Sequence, residues 1–346
     1  MSSADLADLS DKLMLSTVVL YIVAMVAYAA DLGFGPGRRR RETAEAEAVS
    51  TAKVLVGPDG AAAGDAAATG PAGASATGDD AEQAEPRDWG QLAVVLNLLG
   101  WGAHLGTIVT RGLAGERWPW GNMYEFLTAI AFAAVTAYLF VAFRYKARFL
   151  GAFVMLAAVI ALGVANIWLY DEVGPLVPAL NSYWIAIHVS AAIIATGAFT
   201  VAGAATILYL FKARQEARQQ VRAAAADGPP LAAGAEAGGL LARVPSADNL
   251  DRLALRVTMF AFPIWTAAII MGAIWADEAW GRYWGWDPKE IWSFITWIAY
   301  AAYLHARATA GWRGRKAAIL SLVGFACLMF NFFGVNYMFS GLHSYA

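Results

Sequence analysis

The chain has 346 residues, 59% of them hydrophobic and 15% charged, with a net charge of −2. Soluble domains carry about 25% charged residues, so this composition excludes an ordinary soluble enzyme and points to a polytopic membrane protein. The near-neutral charge offers no basic field for nucleic acid. A single cysteine, Cys327, excludes an internal disulfide, a CxxC redox pair and a cysteine-rich metal site.

The first apolar run, 13–34, ends at four consecutive arginines, Arg38 to Arg41. It is too long for a signal-peptide core and is read as a retained N-terminal transmembrane helix within 1–34. From 35 to 88 the chain is rich in Ala, Gly, Asp, Glu and Pro without apolar periodicity, the composition of a disordered loop. Four apolar runs follow within 89–211, at 89–110, 123–143, 149–170 and 184–211. A second Ala/Gly-rich loop covers 212–256. Three more runs, 257–275, 291–308 and 317–339, complete a segment reaching residue 346. The expectation is an all-α integral membrane protein of about eight transmembrane helices, with no internal repeat evident in the sequence.

Placing the N-terminus outside puts 20 of the 25 lysines and arginines on the cytoplasmic side. The positive-inside rule therefore predicts that both termini are extracytoplasmic. The loops at 111–122, 171–183 and 276–290 share that outer face.

Six of the fourteen tryptophans lie between Trp275 and Trp297, and four, Trp280, Trp284, Trp286 and Trp292, fall within thirteen residues. An interfacial aromatic belt accounts for scattered tryptophans at helix ends, not for this density with Gly281 and Gly285 between the rings. A platform for a large planar ligand accounts for it better, because ring faces suit offset stacking and glycines allow close approach. The loop at 275–292 is flanked in sequence by His188 and His343, both assigned to the outer face. A lone histidine is commonly a packing residue. Two on one face beside an aromatic platform suit axial ligation of a haem iron. His305 sits toward the cytoplasmic end of the seventh span and His104 inside the second. An ionisable side chain within a span is a functional candidate by default, although a histidine bonded to a neighbouring helix is the simpler reading of His104. Asp287, just before Pro288, is placed to cap the seventh helix. A second outer segment, Trp118-Pro-Trp-Gly-Asn-Met-Tyr-Glu125, is either an ordinary turn or the opposite wall of the platform.

The stretch Trp280-Gly-Arg-Tyr-Trp-Gly-Trp-Asp-Pro-Lys-Glu290 resembles the WWD signature of haem-handling proteins. Further segments strengthen the likeness: 119–125, 178–188, Tyr303-Leu-His-Ala-Arg307 and Gly334-Val-Asn-Tyr-Met-Phe-Ser-Gly-Leu-His343. With them the chain is most similar to the CcsA (ResC) subunits of System II cytochrome c maturation, labelled CcsB in actinobacteria. The resemblance implies movement of haem b to the outer face of the bacterial plasma membrane. It also implies attachment of the haem through two thioether bonds to a CxxCH apocytochrome c. It matches His188 and His343 to the external haem ligands, and His305 to a transmembrane ligand whose opposite ligand comes from a partner subunit. The implied partners are a CcsB/ResB-type membrane subunit, apocytochrome c, a thioredoxin-like thiol-disulfide reductant and membrane lipid. Arg282, Lys289 and Arg117 are candidate cations for the haem propionates. A haem exporter or chaperone without ligation activity is the alternative. A b-type electron-transfer cytochrome fits poorly because no span offers paired histidines, and a permease fits poorly because the spans carry few charges.

Overall fold

In lipid no water satisfies backbone N–H and C=O groups, so apolar runs long enough to cross must close their hydrogen bonds internally. The computed structural model describes residues 1–34, 88–225 and 240–343. The loop expected at 35–88 lies outside the described residues except for Asp88, as does 226–239 of the loop expected at 212–256. The described residues contain no strand. Their main helices are α1 (Ser3–Phe34), α2 (Trp89–Ala114), α3 (Met123–Tyr145), α4 (Gly151–Trp168), α5 (Tyr183–Ala225), α6 (Ala247–Trp280), α7 (Pro288–Ala308), α8 (Arg315–Met329) and a final turn, α9 (Val335–Met338). The chain is an all-α integral membrane protein.

Several helices outrun their apolar stretches, α1 by beginning at Ser3, ahead of the run at 13–34. The helix α5 continues from 211 to Ala225, and α6 begins at Ala247 and continues through Asp277 and Glu278 to Trp280. Hydropathy marks where lipid ends, whereas a helix projecting into water loses no backbone bonds. The irregular part of the tryptophan loop is therefore 281–287, shorter than the 275–292 read from the sequence.

Seven of these helices are long and apolar enough to cross a membrane, and α7 is the more polar exception. Its ends nevertheless lie at opposite ends of the bundle. Asp287 at its head bonds His343, while Arg307 near its tail pairs with Asp251 in the opening turns of α6, at 2.8 Å. Its 21 residues extend about 31 Å at 1.5 Å each, close to the ~30 Å hydrocarbon thickness. The helix thus covers the same height as its neighbours.

The helices form two similar sets of four. In the first, α1 packs along α2 and α3 along α4, with α1 also against α4. In the second, α5 packs along α6 and α7 along α8, with α5 also against α8. The sets meet chiefly where α3 lies on α5. Equivalent landmarks stand 165 positions apart: Arg117 and Arg282, Asn122 and Asp287, Glu125 and Glu290. Two further pairs share left-handed backbone, Glu116 (φ 50°) with Gly281 (φ 69°) and Lys146 (φ 55°) with Gly311 (φ 61°). The sequence suggested no repeat; the structure contains one.

The α2–α3 and α6–α7 connections are built alike. In the first, Asn122 caps α3 by accepting from the Glu125 N–H at 2.9 Å. The Glu125 carboxylate accepts from Arg117 (2.7 and 3.0 Å) and from the Gly121 N–H (2.7 Å). In the second, Asp287 caps α7 in a capping box with Glu290. The Glu290 carboxylate accepts from Arg282 (3.3 Å) and from the N–H groups of Gly285 (2.8 Å) and Asp287 (3.0 Å). Each glycine lies directly against its arginine, where a Cβ would collide with the guanidinium. Glu125 also accepts from Arg111 at 2.9 Å, and Arg111 reaches on to the Asp171 carbonyl.

The Arg111–Glu125–Arg117 group is almost wholly buried. Removing one member of a buried ion pair leaves an uncompensated charge and costs about 3–5 kcal/mol. Glu125→Gln is therefore expected to lower Tm in detergent by roughly 10 °C. A fall under about 2 °C in a thermal scan would show that the carboxylate does not hold this end of the bundle.

Candidate functional site

The end of the bundle carrying the two related loops encloses a cavity. It offers about 170 Å³ to the centres of water-sized spheres, against the ~10–15 Å³ that a single water needs. Its walls are mainly apolar and come from both halves: Trp120, Met123 and Phe126 from the first, Trp265, Trp275 and Trp284 from the second.

His188 and His343, the two histidines that the charge count assigned to one face, both line it. His188, on the second turn of α5, donates from Nδ1 to the Ala268 carbonyl of α6 at 2.7 Å. Its ring stacks on Trp275, 6.0 Å between centres and 8° from parallel. This closeness requires Gly272, where a Cβ would stand 2.6 Å from the imidazole. His343 follows α9 and donates from Nδ1 to the Asp287 carboxylate at 2.8 Å. It meets the edges of Trp275 and Trp280 at 5.7 and 4.9 Å. Trp275 thus touches both histidines. It is 1% exposed and is fixed by its own bond to the Ala179 carbonyl at 3.1 Å. Each ring thus meets a fixed acceptor through Nδ1, the arrangement by which a neighbouring acceptor orients a metal-binding imidazole.

Asp287 has two duties. It caps α7 through the Lys289 N–H at 3.1 Å, and it holds the C-terminal segment through His343 and the Leu342 N–H at 2.8 Å. Burial pushes its pKa up, but the bonds from His343, Leu342 and Lys289 outweigh that and hold the carboxyl below its usual range. The sequence argument supplied the cap; the bond to His343 is visible only in the structure.

Of the four tryptophans singled out in the loop, Trp284 lines the cavity. Trp280 lies edge-on to Trp275 at 4.6 Å, Trp292 packs on Phe330 at 4.2 Å, and Trp286 points outward, 66% exposed, on a left-handed backbone (φ 58°). Of the three cations, Lys289 lines the cavity, Arg282 joins Glu290 beside Trp280, and Arg117 lies in the buried Glu125 group. His305 is exposed near the far end of α7. His104 is fully buried, its two ring nitrogens bonded to the Tyr21 hydroxyl (3.2 Å) and the Thr128 carbonyl (3.1 Å). That is the pattern of a structural histidine.

Residues 120–343 match the family described as Cytochrome C assembly protein. The chain belongs to this family. The match opens at Trp120 and closes at His343, both of which line the cavity. Within the family the chain resembles proteins named Cytochrome c biogenesis protein CcsA. With that of Gloeobacter violaceus it shares 34% identity over 276 residues, 69% of this chain and 82% of the relative. With that of Synechocystis it shares 36% over 289 residues, 70% and 85%. With that of Trieres chinensis it shares 36% over 253 residues, 67% and 81%. The chain is accordingly a CcsA-type cytochrome c biogenesis protein. In fold it resembles the structure titled Cytochrome c Heme Lyase CcmF, with a TM-score of 0.59 and 15% identity. The alignment covers 96% of this chain and 47% of that one.

Sequence reasoning passed over Trp275, Gly272 and Asn331 as site residues, and offered Trp120 only within a segment that was either a turn or the opposite wall. Trp275 and Gly272 stand three residues apart on α6, as a helix requires of residues sharing a face, which was the one available signal. Gly272→Ala is expected to displace His188 from Ala268. Asp287→Ala is expected to release His343, with Asp287→Asn intermediate because its amide oxygen still accepts. Carbethoxylation of each histidine, mapped by mass spectrometry, checks both: labelling of the affected ring should rise severalfold, and unchanged labelling would contradict the geometry.

Proposed function

We propose that this chain is the haem-handling subunit of a cytochrome c synthase. It brings haem b to the outer face of the bacterial plasma membrane and presents it for covalent attachment to CxxCH apocytochromes. The observation that carries this reading is the convergence of His188 and His343, from the two ends of the second four-helix set, on one tryptophan-walled cavity. The residues present fit a haem: apolar walls for the ring, two oriented imidazoles for the iron and a lysine for an acid group. Imidazoles suit a cargo that must be handed on, because they are neutral ligands that another histidine can replace. The likeness in fold to a protein titled a haem lyase supports the same reading.

Haem supplies two vinyl groups; each apocytochrome thiol adds across one, sulfur to one carbon and hydrogen to the other, with no net redox change. The protein's share is binding and orientation. His188 and His343 would hold the iron, and Trp275, which touches both rings, would keep them in place. Trp284 forms a wall, and exposed Tyr283 and Trp286 form an apolar lip to meet the apocytochrome. The positive-inside count supports an outer location for this end. His305, exposed on α7 near the other end, is placed to meet a CcsB/ResB-type membrane subunit and to ligate haem before it reaches the outer cavity. The thiols must arrive reduced. Cys327, the chain's one cysteine, cannot form a dithiol, so a thioredoxin-like reductant is a required partner.

His188→Gly and His343→Gly are each expected to lose the bis-imidazole spectrum of the purified protein. Added imidazole should partly restore that spectrum and the yield of covalent cytochrome c from a co-expressed apocytochrome. His305→Gly should lower haem at the outer site without imidazole rescue of the outer spectrum. Unchanged spectra in both outer variants would overturn the ligand assignment. Haem retained without any covalent product, with partners present, would leave a haem exporter.

A further inference from the structure

At one side of the cavity the walls turn polar. Lys289, in the first turn of α7, extends its ammonium to the Asn331 carbonyl at 2.9 Å and to Asn336 Oδ1 at 2.6 Å. Among the described residues no carboxylate lies within ion-pair distance of it. The Asn331 carbonyl is offered to Lys289 by a π-helical turn, Phe330–Gly334, in which the Val335 N–H bonds Phe330 in place of Asn331. Such turns are rare in helices and concentrate at functional sites. An ammonium has three donors, so two acceptors leave one to spare. Two further polar atoms lining the same cavity are buried without any partner: Trp120 Nε1, a donor, and Asn331 Oδ1. Buried polar atoms are otherwise almost always satisfied. A half-turn of the Asn331 amide exchanges its oxygen for its NH₂ and makes this group a donor as well. The first half's loop reaches this corner through Met123, whose sulfur accepts from Asn336 Nδ2 at 2.6 Å.

We propose that Lys289 Nζ, Trp120 Nε1 and the Asn331 amide form a carboxylate-binding corner that grips an acid group of the cavity's ligand. Resting on the haem reading above, the acid is a haem propionate, and Trp120 of the first loop and Lys289 at the head of α7 close on it from either half. A carboxylate there supplies the missing counter-charge, accepts the indole N–H and occupies Asn331 once its amide has turned. The grip sets which edge of the porphyrin lies inward, and so directs the opposite edge, which carries the vinyls, toward the lip at Tyr283 and Trp286. Arg117 and Arg282 are committed to Glu125 and Glu290 and take no part.

The test is equilibrium binding of haem and of haem dimethyl ester, whose propionates carry no charge, to the purified full-length protein in detergent. A bond to a charged group is typically strong enough to shift affinity about ten- to hundredfold. The unaltered protein should accordingly prefer haem to the diester by at least about tenfold. Lys289→Met should weaken haem binding by a similar factor while leaving diester binding and the bis-imidazole spectrum unchanged. Trp120→Phe, which keeps the ring and removes the N–H, should give a smaller loss in the same direction, and the double variant should no longer discriminate. The diester affinity within each variant reports whether its cavity is intact. Equal affinity of the unaltered protein for the two ligands, or an equal loss for both in Lys289→Met, would overturn the corner while leaving the haem reading standing. Binding of neither ligand by the unaltered protein would overturn both.

Discussion

A carboxylate taken out of water must be met by donors on every side, and two such groups, Glu125 and Glu290, organise the end of the bundle where the cavity lies. Each sits in the first turn of a helix and turns back over the preceding loop to collect an arginine and a glycine N–H. The loops, which lack regular secondary structure, are shaped by this demand for donors. Once Glu290 has drawn in Gly285 and Asp287, the Asp287 side chain is fixed where it can hold His343. The position of an imidazole at the C-terminal end thus traces back to a buried charge more than fifty residues earlier.

The helices were legible in the sequence because lipid imposes a length and a composition on them, and the two outer histidines because four in 346 residues make each position informative. The helix ends were less legible: Asp277 and Glu278 end an apolar run without ending α6. The duplication escaped notice for a related reason. A lipid-facing position accepts any apolar side chain, so the two sets of helices share little identity along their lengths. The clearest shared features are those that geometry constrains: an arginine, a capping residue, a glutamate and two left-handed turns.

The cavity itself was only half visible. The density of tryptophans marked the right segment but could not say which rings face inward. Trp275 proved central because its helix continues through it, while Trp286 turned outward on a strained backbone. The contribution of Trp120 depended on folding the first half's loop against the second. Lys289 emerged from three candidate cations only when the other two were found committed to carboxylates. Charge in a sequence says nothing about whether a partner has already claimed it.

Four crossings bring the chain back to the side from which it started, so the two halves enter the membrane in the same sense and the second repeats the insertion of the first. The cavity, however, takes Trp120 to Phe126 from one half and its remaining walls from later segments, ending with His343. During synthesis the first half can insert and pack while no pocket yet exists. The last wall arrives only after α9 has emerged, and the histidine it brings is the one that waits on Asp287. A partly made chain therefore lacks the cavity, which is complete only once the segment carrying His343 has been added to walls laid down from Trp120 onward.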